Sequence, residues 1–347
     1  MEREDDAINQ GAPLVSVCIA NYNGMAVIDA CLSSVLAQEG NIAIEILVHD
    51  DASADDSATY ISERYPAAKL ILSESNVGFC IANNRMAAVA KGKYILLLNN
   101  DAALYPDALQ TLLAEVERID APAILSLPQY DAASGELIDR GCLLDPFFNP
   151  VPNLDPARQD VAMVIGACLW IPRELWEELG GFPEWFGSIA EDMYLCCRAR
   201  LAGHAVRVLT TSGYRHWQGK SFGGGKVVEN QLLSTFRRRA LSERNKTFVL
   251  VMTCPQPVFL LLFPIHVLLL FSEGLLLSIL QRQIKFLSHV YLPACFAVFR
   301  NVDVLTTERR RVMLKVQLDR RHFFAVFDAL PYKLRMLLRH GLPKVME

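Results

Sequence analysis

Asp101 holds the clearest chemical opportunity in this sequence. It closes Asn99-Asn100-Asp101, directly after the apolar run Tyr94-Ile95-Leu96-Leu97-Leu98. That run lies between Lys91-Gly92-Lys93 and Pro106 and predicts a buried strand whose end has just reached the surface. In an open α/β sheet the loops leaving the C-terminal ends of the strands form the crevice in which ligands bind. A carboxylate there suits a hard cation carrying a diphosphate. The competing role for Asp101 is to cap the helix expected from about Pro106.

Three earlier strand ends carry polar groups of the same kind. Ala20-Asn21-Tyr22-Asn23-Gly24 predicts a tight strand-to-helix turn, whose small and polar residues let backbone approach a ligand. Asp50-Asp51-Ala52-Ser53-Ala54-Asp55 places Asp50 to accept hydrogen bonds from a base or ribose, while Ser53 and Asp55 serve equally well as helix caps. Asn76-Val77-Gly78-Phe79 follows the third strand, with Asn83-Asn84 one turn further on. Asparagine is a poor helix former, so this pair either bonds a ligand or neighbouring loop or is a structural hydrogen-bonding element. The convergence of four strand ends is stronger evidence than any one of them. No GxGxxG and no GxxxxGK[ST] occurs, which removes the main support for dinucleotide and P-loop sites.

The elements that must position these groups are legible as an alternation. Apolar runs at 14–20, 44–49, 69–73 and 94–98 alternate with helical spacing at 25–38, 55–65 and 78–90. Successive βα units predict an α/β fold with a mainly parallel sheet. Past Ala121 the pattern loosens. Short strands are expected at 123–127 and 162–171, separated by a Pro-rich stretch at 145–156 that reads as a loop over the site. A helix over 191–201, ended by Gly203, leads to a strand at 205–209.

Composition divides the chain. Of its 347 residues 52% are hydrophobic, and its mean hydropathy of +0.22 exceeds that of most soluble enzymes. Residues 1–243 carry 19 Lys and Arg against 32 Asp and Glu, whereas residues 244–347 carry 15 against 6. An acidic half joined to a basic, apolar one predicts an enzyme held at an anionic membrane surface. No nucleic-acid motif accompanies the basic tail, so nucleic acid is not expected as a partner. The nine cysteines form no CxxC pair and read as small core residues. The acidic start Met1-Glu2-Arg3-Glu4-Asp5-Asp6 has no apolar h-region, so no signal peptide is expected and the cytoplasm is the default compartment.

Between Thr247 and Gln281 the only charged residue is Glu273. Residues 257–280 reach the roughly 20 positions that a spanning helix needs, but Pro264, His266, Glu273 and Gly274 interrupt them. With the shorter run 286–299, they predict in-plane or re-entrant helices in preference to a transmembrane helix or a soluble cap. Arg309-Arg310-Arg311 and Arg320-Arg321, beside Phe323, Phe324 and Phe327, suit lipid headgroups.

Residues 15–107 resemble the nucleotide-sugar domain of glycosyltransferase family 2, with the inverting GT-A fold, and are similar in particular to its rhamnosyltransferase-like branch. The resemblance rests on the stretches from Val17 to Gly24, His49 to Asp55, Asn76 to Phe79 and Leu97 to Asp101. It implies that Asp101 is the metal-binding carboxylate of a DxD element whose first position is Asn99 here. By the same resemblance Asp50 meets the nucleoside, within a donor site of Ala20, Asn21, Tyr22, Asp50, Asn76, Gly78, Asn84, Asn100 and Asp101. Ser188 to Arg198 resembles the family's ED motif, with Gly180-Gly181-Phe182 as the preceding turn. The motif implies a catalytic base, assigned to Asp192, with Glu191 binding acceptor hydroxyls or exchanging the role. A sugar hydroxyl attacks well only while a positioned carboxylate takes its proton. Without the family, Glu191 and Asp192 would read as acidic residues favoured in a helix's first turn.

His216 matches a histidine that completes the metal site in several members. Imidazole beside one carboxylate and phosphate oxygens favours Mn2+ over Mg2+. Arg215, Lys220 and Gly223-Gly224-Gly225 suit a phosphate-covering loop, and Gly166, Glu191 and Trp217 are expected at the acceptor. The expectation is thus a GT-A domain over residues 13–245, with a nucleotide-sugar half at 13–120 and an acceptor half at 121–245. A disordered start at 1–12 and a helical membrane-associating region at 246–347 flank it. The expected reaction moves a sugar from a nucleotide diphosphate donor, dTDP-rhamnose or a UDP-sugar, to a lipid-linked saccharide or polysaccharide acceptor. Its expected place is the cytoplasmic face of the cell membrane. The rivals are a nucleotidyltransferase of the same fold, disfavoured by the uncharged turn at Asn21-Tyr22-Asn23-Gly24, and a catalytically inactive membrane scaffold.

Overall fold

The computed structural model describes residues 12–217, 224–228, 231–342 and 344–346. Residues 1–11 of the expected disordered start, and Lys220 and Gly223 of the expected phosphate loop, lie outside the described residues.

The chain begins with β1 (Val15–Asn21), α1 (Ile28–Leu36), β2 (Ile44–Asp50), α2 (Ser57–Arg64), β3 (Lys69–Leu72), α3 (Phe79–Val89) and β4 (Tyr94–Asn99). It continues through β5 (Ala102–Leu104), α4 (Ala108–Ile119), β6 (Ala123–Ser126), β7 (Gln129–Asp131), β8 (Leu137–Asp139), β9 (Cys142–Leu144) and β10 (Pro150–Pro152). Then come β11 (Cys168–Pro172), α5 (Arg173–Leu179), α6 (Glu191–Leu201), β12 (Ala205–Val208) and β13 (Tyr214–His216). One sheet runs β12-β6-β11-β4-β1-β2-β3, parallel throughout except for β11, which is antiparallel to both its neighbours. The α/β class and the mainly parallel sheet are therefore as the sequence predicts.

Alternation along the strands divides the core into two faces. Val17, Ile19, Leu96 and Leu98 pack with Leu32 of α1 and Leu109 and Leu112 of α4. Cys18, Ile95 and Leu97 pack on the other side with Met86 of α3 and Leu195 of α6. Each fully buried Leu or Ile stabilises the fold by about 1.5–3 kcal/mol relative to exposure. The consequence for the site is register: Ala20 pairs with Asn99 and Asn21 with Asp50, so the central strands end level at one edge.

A smaller sheet, β5-β13-β7-β8, stands at that edge. The strand expected at 162–171 forms only from Cys168 to Pro172, and Met163 makes an isolated bridge to Cys142. Residues Val161 to Val164 are buried without extending that strand, so their apolar character reflects a covered loop.

The C-terminal part comprises β14 (Gly224–Val228), β15 (Gln231–Thr235), α7 (Phe236–Thr253) and α8 (Val258–Leu280). A π-helical turn over Phe286–Tyr291 leads to α9 (Leu292–Arg300), α10 (Val302–Leu314), α11 (Arg320–Phe324), α12 (Tyr332–His340) and β16 (Lys344–Met346). The expected boundary between 245 and 246 falls inside α7. Phe248 and Leu250 of α7, Leu305 of α10 and Phe323 of α11 join the same core as Leu195. Burying that much apolar surface fuses the helical part to the α/β part.

Among the described residues α8 alone is long and apolar enough to cross a membrane, and 22% of its apolar window is buried. Arg309 differs from the expectation that its cluster meets lipid. It donates to the carbonyl of Val251 and lies 4.1 Å from the centre of the Phe259 ring, whereas Arg310, Arg311, Arg320 and Arg321 are exposed.

Candidate active site

Asp101 and His216 stand 115 positions apart in sequence and meet in space. The antiparallel pairing of β5 with β13 sets His216 opposite Ala102, and His216 Nε2 then lies 3.0 Å from Asp101 Oδ1. The backbone N–H of Trp217 donates to the Asp101 carbonyl and fastens the arrangement. Both side chains are buried, and His216 Nδ1 has no hydrogen-bond partner among the described residues. Among the described residues no third His, Cys, Asp or Glu joins them as a metal-holding group. One carboxylate and one imidazole fit a Mn2+ or Mg2+ ion that completes its shell with diphosphate oxygens and water.

Glu191 and Asp192 open α6 after two residues with left-handed backbone, Ile189 at φ 73° and Ala190 at φ 69°. Neither is glycine, so the turn is strained and something must hold it. Asn245 of α7 does so: its buried amide donates to the carbonyls of Phe186, Ser188 and Ile189 at 3.2, 2.9 and 2.8 Å. Glu191 and Asp192 both line the cleft.

Their surroundings differ. Asp192 Oδ2 accepts the N–H of Gly166 at 3.0 Å, and Oδ1 accepts the N–H of Met193 at 2.7 Å. Glu191 Oε2 is buried with no hydrogen-bond partner among the described residues. Burial, reinforced by the negative charge of Asp192, pushes the Glu191 carboxyl up to about 8. Burial also raises Asp192, but the backbone N–H groups and Arg238 oppose the rise. At neutral pH the Glu191 carboxyl therefore holds a proton, while the two backbone N–H donors favour the charged form of Asp192.

One continuous cleft of ≈ 2750 Å³ receives these groups. Ala20, Asn21, Tyr22, Asn76 and Gly78 line it, as do Asn100, Asp101 and His216. Gly166, Glu191 and Asp192 form a further part of its wall. Asn21 and Asn100 are joined at 3.0 Å directly over Gly24, where a Cβ would lie 2.0 Å from Asn21 Oδ1.

Three expected site residues stand off the cleft wall. Asp50 does not line the cleft: it accepts from Asn21 Nδ2 at 2.7 Å and from Ser53 Oγ at 2.7 Å, tying the first two strand ends together. Its neighbour Asp51 lines the cleft and accepts the N–H groups of Val77 and Gly78 at 2.7 and 2.9 Å. Asn84 exchanges hydrogen bonds with the backbone of Phe182 in the neighbouring loop. Trp217 does not line the cleft and contributes the backbone bond already described. Conversely, the cleft includes Asp139, Arg238 and Lys333, which no local motif marked. Burial raises the Asp139 carboxyl to about 7, opposed by the Gly141 N–H and by His216.

The model of glycosyl transferase family 2 matches residues 16–180. That segment is a glycosyltransferase family 2 domain. The match ends ahead of Glu191, Asp192 and His216. Chondroitin synthase of Escherichia coli is 29% identical over 199 residues, which cover 56% of this chain and 28% of that protein. The chain spans at most 35% of the length of the first five curated relatives it matches. Among solved structures, S. aureus TarS 1–349 superimposes with a TM-score of 0.55 at 16% identity, over 87% of this chain and 88% of that one. GalNAc-T7 with UDP, GalNAc and Mn2+ gives 0.57 at 16% identity, over 85% and 58%. At that identity the likeness is one of fold, and it agrees with the GT-A architecture.

Proposed function

We propose that this protein is an inverting glycosyltransferase that moves a sugar from a nucleotide diphosphate donor to a hydroxyl of a lipid-linked saccharide or polysaccharide. The observation that carries the reading is the shared cleft, with Asp101 and His216 on one wall and the backbone-braced carboxylate of Asp192 on another. The donor would lie along the level strand ends, against Ala20, Asn21, Tyr22 and Asp51. A divalent cation held by Asp101 and His216 would supply positive charge to the departing diphosphate. Asp192 takes the acceptor proton as its oxygen attacks, and attack opposite the leaving group inverts the anomeric centre. Glu191, protonated, donates a hydrogen bond to the acceptor.

The solved TarS complexes with UDP and UDP-GlcNAc, and GalNAc-T7 with UDP and Mn2+, support a UDP-sugar and a manganese-type cation. dTDP-rhamnose is the other donor to test, given the branch that the motifs resemble. We place the protein at the cytoplasmic face of the cell membrane, peripheral or re-entrant. Leu260, Leu261, Leu268 and Ile279 of α8 are at least 60% exposed, and the four exposed arginines of α10 and α11 accompany them.

Mass spectrometry of products from a panel of nucleotide-sugars with lipid-linked and polysaccharide acceptors tests the reading. Asp192→Asn should keep UDP binding and lose transfer by the roughly 10²–10⁴-fold expected of a general base. Transfer near the wild-type rate in that variant would remove Asp192 from the role.

A further inference from the structure

The catalytic cleft continues past Asp192 to a part of the molecule that sugar transfer does not explain. Beyond Arg238 its wall is a cluster of charges from three helices, of which Glu243 and Lys246 are buried and Arg239, Glu273 and Lys333 partly exposed. Arg239 and Lys246 of α7 meet Glu243 of the same helix, Glu273 of α8 and Lys333 of α12. Lys333 Nζ lies 2.6 Å from both Glu243 and Glu273, Lys246 Nζ 2.7 Å from Glu243, and Arg239 3.0 Å from Glu273. Three cations therefore share two carboxylates. Burying ions is costly, and an arrangement that leaves one positive charge in excess beside a cleft attracts an anion. An ammonium has three donors, and on Lys333 the two carboxylates take two of them.

Further out, the lips of the cleft are apolar and face solvent. Leu276 and Leu280 of α8, and Leu334 and Leu337 of α12, line the cleft while 41–53% exposed. From outside inwards the cleft thus presents leucines, then surplus positive charge, then the carboxylate of Asp192. A single-chain lipid phosphate bearing a saccharide presents the same order: apolar tail, phosphate, hydroxyls.

We infer that Lys333, Arg239 and Lys246 form a subsite for the phosphate of an amphiphilic acceptor, whose lipid chain leaves between α8 and α12. This rests on the transferase reading for its last step only, since the binding itself needs no donor.

Isothermal titration of the full chain with dodecyl phosphate, inorganic phosphate and dodecyl maltoside, each below micelle formation, tests it. Dodecyl phosphate should bind at least about tenfold more tightly than either of the others, which each satisfy one half of the subsite. Lys333→Gln should weaken dodecyl phosphate by about 10- to 100-fold, the worth of a hydrogen bond to a charged group, and leave dodecyl maltoside unchanged. Lys333→Arg should retain the binding. Leu276→Ser with Leu280→Ser changes exposed side chains and spares the ion pairs; it should weaken dodecyl phosphate and not inorganic phosphate. Unchanged dodecyl phosphate affinity in both the glutamine and serine variants overturns the subsite. So does a Lys333→Gln loss confined to phosphatidylglycerol vesicles, which assigns the cluster to bilayer headgroups. UDP affinity, measured in parallel, should be unaltered by Lys333→Gln. Failure of the wild type to bind UDP would count against the transferase reading and leave this subsite standing.

Discussion

Glu191→Gln separates the two carboxylates at the start of α6. In the folded protein the Glu191 carboxyl is moved from its ordinary 4.5 to about 8, first by burial and then by the charge of Asp192. The native state therefore holds this proton more tightly than the unfolded chain does. Its contribution is fully present below the unfolded value and is lost as pH rises through the folded one. Each tenfold change in proton affinity is worth about 1.4 kcal/mol, which sets a ceiling of about 5 kcal/mol lost between pH 4.5 and 8. The proton is shared with Asp192, so a loss of a few kcal/mol, below that ceiling, is expected. Glutamine fills nearly the same volume, keeps a donor and has no proton to lose. Urea unfolding of both proteins from pH 5 to 9 should show the wild type weakening with rising pH by that amount more than the variant. The variant should also keep measurable transfer, because Asp192 is intact. Parallel pH profiles would refute the assignment of the proton to Glu191, and an inactive variant beside an active Asp192→Asn would exchange the two roles.

Two other outcomes bear on the cation and on the membrane. His216→Gln should reduce Mn2+ affinity in the presence of UDP by at least the roughly 10- to 100-fold that loss of an outer-shell partner costs, read by electron paramagnetic resonance; unchanged affinity would remove His216 from the metal site. Replacing Arg310, Arg311, Arg320 and Arg321 by glutamine should weaken binding to anionic vesicles by about 1 kcal/mol per charge near the surface and leave neutral vesicles unaffected. Sedimentation with vesicles of both kinds measures this, and equal loss on both would reject the electrostatic contribution. Arg309 is kept in that variant because its guanidinium packs on Phe259.

The sequence determined whatever depends on neighbours along the chain. Apolar runs and helical spacing gave β1 to β4 with their helices, α6 from Glu191 to Leu201, and the polar residues at the strand ends, because strand and helix periods are local properties. It also marked Asp101, Asp192 and His216, each within a recognisable stretch. Tertiary structure decided which of those groups meet. The pairing of β5 with β13 brings His216 to Asp101, and neither three-residue strand carries enough periodicity to announce that partner. Of two adjacent aspartates, Asp50 is consumed in tying Asn21 to Ser53 while Asp51 reaches the cleft. Strand alternation sends neighbours opposite ways, but which way depends on the loops they meet. The hold of Asn245 on the strained turn before Glu191, and the place of Lys333 on the same cleft as Asp192, join residues at least 56 positions apart. Such contacts are fixed by how α7 and α12 pack, and packing energy is summed over a whole core in which no single residue type carries the signal.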